Sequence, residues 1–313
     1  MTIPISSSPS LIALDWGTTS LRAYQLGSVG EVIASRTEPW GIMRVPDRDF
    51  RATFERMTSA WRAQWPELRC IASGMIGSTA GWTDVPYCPC PAGVAELAEC
   101  VVSVQDGALH IVPGVALYGD SPNMMRGEET EIVGVLELHP ELENSVLVLP
   151  GSHCKWARVK RGRIVDFTTF ITGELFAALR DHSVLGRAAS DSGQIPDRAT
   201  VEAAFARGVL AARNATAGIA ALLFSARSMV LARRVEAEAS LEYLSGLLIG
   251  DEIRSGLAGG GRPTGLAGDA VLCARYEAAF RLFGETRLTV YEDAAARGLW
   301  EIARRAGLLA ACS

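Results

Sequence analysis

The sequence predicts an α/β protein built from two βββαβαβ halves that flank a cleft, and three observations carry that reading. Short apolar runs with two-residue alternation recur between stretches of helical periodicity. The element order of residues 11–112 returns over residues 145–291, with helices added in the second copy. Each copy opens on an apolar strand that breaks into a glycine and hydroxyl turn: Asp15-Trp16-Gly17-Thr18-Thr19 in the first, Pro150-Gly151-Ser152 in the second. The length of 313 residues, at about 150 per domain, agrees with two domains. The expected division is 1–121 and 122–313, with a helical insertion spanning 174–256 in the second.

In chain order, strands are expected at 11–15, 21–26 and 31–36, and a helix at 49–65 with Phe50, Phe54, Met57 and Trp61 on one stripe. A strand at 69–73 runs into Gly74-Met75-Ile76-Gly77-Ser78, a helix follows at 93–101, and a strand at 109–112 stops at Pro113. The second half has strands at 145–149, 154–159 and 164–171, the last two joined by a hairpin turn at Lys160-Arg161-Gly162-Arg163. Helices are expected at 174–182, 201–213, 216–228 and 236–255, with Thr172-Gly173-Glu174 as a capping sequence. Strands at 264–267 and 287–291 precede helices at 269–283 and 293–306. Trp40, Trp61, Trp65 and Trp300 read as core, whereas Trp16, Trp82 and Trp156 stand beside glycine turns and are expected to line the cleft.

Composition narrows the function classes. Hydrophobic residues make up 49% and charged residues 21%, with 14 prolines and 31 glycines, which excludes a disordered scaffold. Thirty Lys and Arg against 35 Asp and Glu give a net charge of -5, a poor match to a nucleic-acid phosphate backbone. No apolar run approaches the roughly 18 residues of a membrane span, and MTIPISSSPS lacks the basic and apolar regions of a signal peptide. The seven cysteines (70, 88, 90, 100, 154, 273, 312) form no CxxC pair, and the four histidines do not join them at zinc spacings. A cytoplasmic protein with reduced thiols is expected.

Residue chemistry points to phosphate. A strand delivers Asp15 to its end, Gly17 lets backbone approach a ligand, and Thr18 and Thr19 offer donors, an arrangement suited to a phosphate chain and Mg²⁺. An ordinary hairpin would use the same residues to satisfy its own turn. Gly151 and Ser152 occupy the same place in the second copy, without the acid, followed by His153 and Lys155. Of these two, Lys155 is the better anion partner, being charged near neutral pH. Gly265 and Gly268 bracket a late turn into a helix capped by Asp269, where a purine could lie on backbone. Between the halves lies Arg126-Gly127-Glu128-Glu129-Thr130-Glu131: a carboxylate there could take a substrate proton, and Arg126 could hold an anion. Acids at that position also simply favour a helix dipole. Gly74, Met75, Gly77 and Ser78 offer backbone donors to a polyol.

At this point the sequence resembles the sugar-kinase branch of the actin/hexokinase/Hsp70 ATPase superfamily, and within it the 2-dehydro-3-deoxygalactonokinase family. The matching segments are LIALDWGTTSLRAY, IASGMIGSTAGWTDVPYCPCPA, IVPGV, NMMRGEETEIVG, LVLPGSHCKW, FTTFITGEL, YLSGLLIG and ARYEAAF, in order from residue 11 to about 283. RGEET and PGSHCKW are distinctive of the family; DxGT marks only the superfamily. The resemblance implies two ribonuclease-H-like domains of the actin-like ATPase kind and ATP-dependent phosphorylation of the 6-hydroxyl of 2-dehydro-3-deoxy-D-galactonate, in galactonate breakdown. It implies that Asp15 organises Mg²⁺, that Gly17, Thr18, Thr19, Gly151 and Ser152 bind phosphates, and that Gly265 and Gly268 border the adenosine. The wider superfamily places an Asp where this chain has Glu128-Glu129, so the base is one of these two, with Glu128 preferred. Arg126 and Lys155 are the candidates for the substrate carboxylate, beside His153 and residues 74–78. The expected partner is a small sugar acid, with no nucleic acid and no membrane, and homodimerisation is left open. The alternatives are a kinase of the same fold for another sugar acid or polyol, an actin-like ATPase without a sugar substrate, and a ribonuclease-H-type nuclease, for which only Asp15 is well placed.

Overall fold

The structure, a computed structural model, describes residues 8–187 and 195–310. In chain order the first elements are β1 (Pro9–Trp16), β2 (Leu21–Gly27), β3 (Val32–Glu38), α1 (Phe50–Gln64), β4 (Cys70–Ser73), β5 (Cys88–Pro89), α2 (Val94–Glu99), β6 (Val102–Val104), β7 (Leu109–Ile111), β8 (Val115–Leu117), β9 (Asn123–Met125) and α3 (Glu128–Leu138). They are followed by β10 (Asn144–Leu149), β11 (Cys154–Lys160), β12 (Arg163–Phe170), α4 (Thr172–His182), α5 (Arg198–Arg213), α6 (Ile219–Leu223), α7 (Ser225–Leu231) and α8 (Ser240–Ala258). The last are β13 (Gly265–Ala267), α9 (Ala270–Leu282), β14 (Thr289–Tyr291) and α10 (Ala294–Arg305).

Strand order repeats between the two large sheets. The first runs β3-β2-β1-β4-β7-β6 and the second β12-β11-β10-β13-β14. In each, the second and third strands lie on one side of the opening strand and the later strands on the other. The pairing β1–β2 is antiparallel, while β1–β4, β4–β7 and β10–β13 are parallel, so the protein is α/β with mixed sheets. The parallel pairs bury both faces of their central strand: β1 is closed to solvent from Leu11 to Leu14. That is why LIAL reads as a continuous apolar run while β2 alternates.

By their contacts the residues fall into two compact units. One comprises residues up to Ser145 with Ala157–Phe167 and Tyr291 onward; the other comprises Val146–Trp156 and Thr168–Val290. Residues 122–145 thus group with the chain that precedes them. The first unit has a core in which Phe50, Phe54, Met57 and Trp61 of α1 pack with Leu14, Trp16 and Ile71's neighbours Cys70 and Ala72. The second has a core around Trp156, Phe205, Val209, Ile253, Tyr276 and Phe280, and a separate helical cluster around Leu244, Leu247 and Ala212.

Four strands escape the sequence pattern: β5, β6, β8 and β9 have two or three residues each, too few for alternation to register. The helix expected over 216–228 is two, α6 and α7, joined at Phe224. Phe224 keeps helical angles (φ -65, ψ -19), and no Gly or Pro lies near the joint to announce it. Trp16 and Trp156 are buried core residues and not cleft linings, at 0% and 5% exposure. The Trp16 indole donates to the Trp40 carbonyl at 2.8 Å and the Trp156 indole to Glu252 at 2.9 Å, so both polar atoms are satisfied inside. Thr172 starts α4 without capping it, since its hydroxyl donates to Glu252 instead.

α3, which carries the acidic stretch, is seated by a close crossing with α10. A Cβ on Gly298 would fall 1.9 Å from the Thr130 carbonyl oxygen, and one on Gly134 equally close to that of Ala294. Gly298→Ala should therefore cost about 1–3 kcal/mol by forcing the helices apart. Because Thr130 lies in the first turn of α3, turnover should fall more than the lost stability explains; a thermal melt alongside an activity assay checks this.

Candidate active site

In the first unit, the ends of β1 and β4 and the start of α3 converge. Gly74 has φ +91, and a Cβ there would lie 2.7 Å from the Trp16 carbonyl oxygen. Gly127, the N-cap of α3 at φ +110, would place a Cβ 3.3 Å from the Gly74 Cα. These two glycines let three main chains pass in contact, bringing Asp15 at the tip of β1 toward the first turn of α3. Register places Asp15 opposite Arg22 on β2 and Ser73 on β4.

The electrostatics of this region is dominated by carboxylates. Asp15 keeps some surface open, yet protein crowds its carboxylate, and that desolvation raises its pKa against the opposing charge of Arg22. Glu131 is pushed up to about 8, first by burial and then by the charges of Asp15, Glu128 and Glu129. Glu129 is raised to about 8 by burial and by Glu128. It is closed to solvent, with one oxygen accepting the Gly127 N–H at 2.7 Å and the other the Thr130 hydroxyl at 3.1 Å. Glu128 is half-buried and accepts the Arg126 N–H at 3.0 Å. Beside Arg22, Tyr24 is pushed up to about 12, chiefly by burial and then by Asp15. The cluster gathers negative charge that only Arg22 offsets among these neighbours.

Arg126 is 8% exposed and lies over the Tyr87 ring at 4.2 Å. Its Nη2 donates to the Val85 carbonyl at 2.7 Å, while its Nε and Nη1 have no hydrogen-bond partner. A buried guanidinium held on one edge and unpartnered on the other suits a carboxylate or phosphate. A Cβ on Gly77 would fall 2.9 Å from that Nη1, so the strand-end turn borders the same spot. Gly74 and Gly77 are buried and Met75 half-buried; the Ser78 hydroxyl donates to the Met75 carbonyl at 2.7 Å, spending its proton locally. Gly17 closes the β1–β2 turn by donating to the Ser20 carbonyl at 3.0 Å, leaving Thr18 and Thr19 exposed.

In the second unit, a cavity of about 320 Å³ is walled by Gly151 and Ser152, by Thr172, Gly173 and Phe176, by Ser245, Leu248 and Ile249, and by Leu272, Arg275 and Tyr276. Its lining is mainly apolar at one side, with the glycine and hydroxyl turn at another, a combination typical of small-molecule sites. Gly265 and Gly268 are not among the lining residues. Gly265 is buried in β13, and the Asp269 carboxylate caps α9 by accepting the Leu272 N–H at 3.0 Å. His153 is exposed and paired with Glu174 of α4, and Lys155 is buried within β11. Among the described residues no three His, Cys, Asp or Glu side chains are grouped to hold a metal by themselves.

The profile of the 2-keto-3-deoxy-galactonokinase family matches residues 15–302. The chain belongs to this family. A 2-dehydro-3-deoxygalactonokinase of Escherichia coli (strain K12) is 35% identical over 277 residues, covering 87% of this chain and 90% of that protein. A Rhizobium meliloti (strain 1021) protein named as a probable 2-dehydro-3-deoxygalactonokinase is 34% identical over 303 residues, covering 93% and 97%. The crystal structure of a Sinorhizobium meliloti protein, described as a candidate 2-dehydro-3-deoxygalactonokinase, superposes with a TM-score of 0.83 at 32% identity, covering 94% of this chain and 98% of that one.

In this region of the first unit, Arg22 and Tyr24 are groups the sequence did not single out, while Glu131 was read only as one of three acids following Arg126. Arg22 was recoverable, since a hairpin turning at 17–20 must set residue 22 opposite residue 15. In the second unit Arg275, Tyr276 and Glu252 were missed because each lies on an otherwise ordinary helix.

The raised pKa of Glu129 has a testable sign. A carboxyl whose folded pKa lies near 8, against about 4.3 unfolded, binds more protons folded than unfolded between those values. Stability is then greatest below the unfolded pKa and declines as pH rises toward 8. Glu129→Gln, which keeps an acceptor for Gly127, should melt on the order of 5 °C above the parent at pH 8.5 in EDTA, and the gap should close toward pH 5. Thermal melts across that range check it.

Proposed function

We propose that this chain transfers the γ-phosphoryl group of ATP to the 6-hydroxyl of 2-dehydro-3-deoxy-D-galactonate, as in galactonate breakdown. The observation that carries the reading is the pairing, in one unit, of a buried and half-unpartnered guanidinium with a crowd of desolvated carboxylates. A sugar acid presents one carboxylate and several hydroxyls, so it needs one cation and one proton acceptor. Arg126 is the cation of this reading, with the turn at Gly74 and Met75 beside it for the hydroxyls. Glu128 is the proton acceptor, because Glu129 has no open surface for a substrate to touch.

The nucleotide of this reading lies in the second unit's cavity, with the base against Leu248, Ile249, Phe176 and Leu272, and phosphate at Gly151 and Ser152. In the first unit, exposed Thr18 and Thr19 beside Gly17 offer donors of the same kind. For Mg²⁺, the all-oxygen, carboxylate-rich surroundings of Asp15 and its raised pKa fit a hard cation. Mg²⁺ usually takes only one or two protein carboxylates with waters and phosphate oxygens, so the absence of a three-residue cage among the described residues is no obstacle. When bound, the ion would neutralise charge gathering on the departing ADP oxygens.

The chemistry then balances. The 6-oxygen bonds to the γ-phosphorus, its proton passes to the Glu128 carboxylate, and the bridging oxygen leaves with ADP. A loose phosphoryl-transfer transition state asks mainly for alignment and charge neutralisation, which these groups supply. The shared strand order of the two sheets supports the finer reading of two ribonuclease-H-like domains. Six described cysteines are free thiols, as a reducing cytoplasm would keep them, and no described helix is long and apolar enough to cross a membrane.

An ADP-release assay with 2-dehydro-3-deoxygalactonate, its gluconate epimer and no acceptor tests the proposal. Release that depends on the galactonate acid supports it; rapid release without any sugar acid favours an ATPase and overturns it. Arg126→Met should raise KM for the sugar acid about 100-fold, the worth of a charged hydrogen-bond pair, and change KM for ATP less than about twofold. An equal rise for both substrates would remove Arg126 from the carboxylate role.

A further inference from the structure

We propose that Glu252 is the positioning residue of the second unit's cavity, the side chain that fixes its walls for nucleotide binding; this rests on the nucleotide reading given above. Glu252 lies on α8 at 2% exposure, behind the wall residues Ser245, Leu248 and Ile249 of the same helix. Its Oε1 accepts the Trp156 indole N–H at 2.9 Å. Its Oε2 accepts the Tyr276 hydroxyl at 2.6 Å and the Thr172 hydroxyl as well. Tyr276 and Thr172 are themselves cavity walls, on α9 and at the start of α4. Trp156 belongs to β11, the strand that follows the Gly151-Ser152 turn.

A second path reaches that turn. The Tyr276 hydroxyl oxygen lies 2.9 Å from Cys154 Sγ. With the Tyr276 proton given to Glu252, the single Cys154 thiol proton is shared between the Tyr276 oxygen and the Gly151 carbonyl at 3.2 Å, while the sulfur accepts the Gly151 N–H at 3.4 Å. The Glu174 N–H then ties α4 to the Ser152 carbonyl at 3.1 Å. Through these bonds one carboxylate holds β11, α4 and α9 to α8; α4, α8 and α9 carry the cavity walls, apart from Gly151 and Ser152 in the turn that leads into β11.

A carboxylate is the group that can do this. It offers two acceptor oxygens and no proton, so three donors from three elements can converge on it. Burial is the larger influence and raises its pKa, the donors pull the other way, and each donor would be left unsatisfied by an apolar replacement. A leucine would fill the volume but leave an indole N–H and two hydroxyls without partners. Buried polar networks of this kind set a specific arrangement more than they add net stability.

Glu252→Gln keeps the shape and one acceptor. The two hydroxyls can turn to accept its amide, but Tyr276 can then no longer donate to it, so the link to Cys154 and Gly151 is rearranged. The expected result is a weakening of ADP binding, measured by calorimetry on the full chain, on the order of tenfold. KM for ATP should rise by a similar factor, while KM for the sugar acid stays within about twofold. Tyr276→Phe, which keeps the ring on the wall and removes one bond, should weaken ADP binding by about three- to fivefold and serves if Glu252→Gln does not fold. Leu248→Trp, which fills the cavity, is the control for the nucleotide reading. If Leu248→Trp abolishes ADP binding while Glu252→Gln and Tyr276→Phe bind as the parent does, the positioning role is wrong and the nucleotide reading stands. If Leu248→Trp leaves ADP binding intact, the nucleotide reading itself fails. An equal rise in KM for both substrates in Glu252→Gln would mark a general structural effect and overturn the proposal.

Discussion

Asp15→Asn is expected to lower turnover by about three orders of magnitude or more while leaving the fold in place. Two effects separate cleanly at this position. The carboxylate is desolvated at the tip of β1, beside the Glu131 carboxylate and with Arg22 as its opposing charge, so it costs the folded state free energy that an amide would not. The backbone partners of Asp15, in register with Arg22 and Ser73, are untouched by the substitution. Stability should therefore hold or rise, and the whole loss should appear in kcat. If Asp15 only satisfied its hairpin turn, the reverse would be seen: a lower melting temperature and turnover within about tenfold of the parent. Parallel melts and steady-state kinetics at saturating Mg²⁺ and ATP distinguish the two.

Glu128→Gln carries the second large effect, a fall in kcat of about 10²- to 10⁴-fold, the usual worth of a general base. Glu129→Gln should change kcat less than about tenfold. The difference rests on where the first turn of α3 points its acids. Glu129 turns inward to cap its own helix through Gly127 and Thr130, and has no exposed surface. Glu128 keeps an open face while its Oε2 is steadied by the Arg126 N–H. That bond is possible with the acid and the arginine two positions apart because Gly127, at φ +110, turns the chain so that the Arg126 backbone reaches the Glu128 carboxylate. Loss of turnover in Glu129→Gln with retention in Glu128→Gln would move the base by one residue.

Much of this architecture was legible in the chain. LIALD read as a strand because its residues are buried on both faces, and FRATFERMTSAW read as a helix because one stripe faces the core. The repeated strand order emerged from the spacing of such runs. What the pattern could not convey were elements too short to have a period, such as β9, which runs directly into Arg126, and β5, which follows the Tyr87 that Arg126 lies over. Side-chain fate was less legible still. Trp16 and Trp156 stand next to glycine turns in sequence, yet a strand alternates, and both point into the core. Lys155 read as the better anion partner of the pair, yet it is the buried one, while His153 lies exposed against Glu174. Glu252 had no signal at all: a glutamate in an apolar helix becomes meaningful only when Trp156, Thr172 and Tyr276, from three distant stretches, arrive around it.

The account depends on a sugar-acid alcohol being the phosphoryl acceptor. Phosphorus NMR of the products from ATP and 2-dehydro-3-deoxygalactonate tests this most directly. The account predicts ADP together with a new phosphomonoester whose phosphorus couples to the two protons on carbon 6. Inorganic phosphate as the sole other product, or a phosphoester on any other carbon, would contradict it.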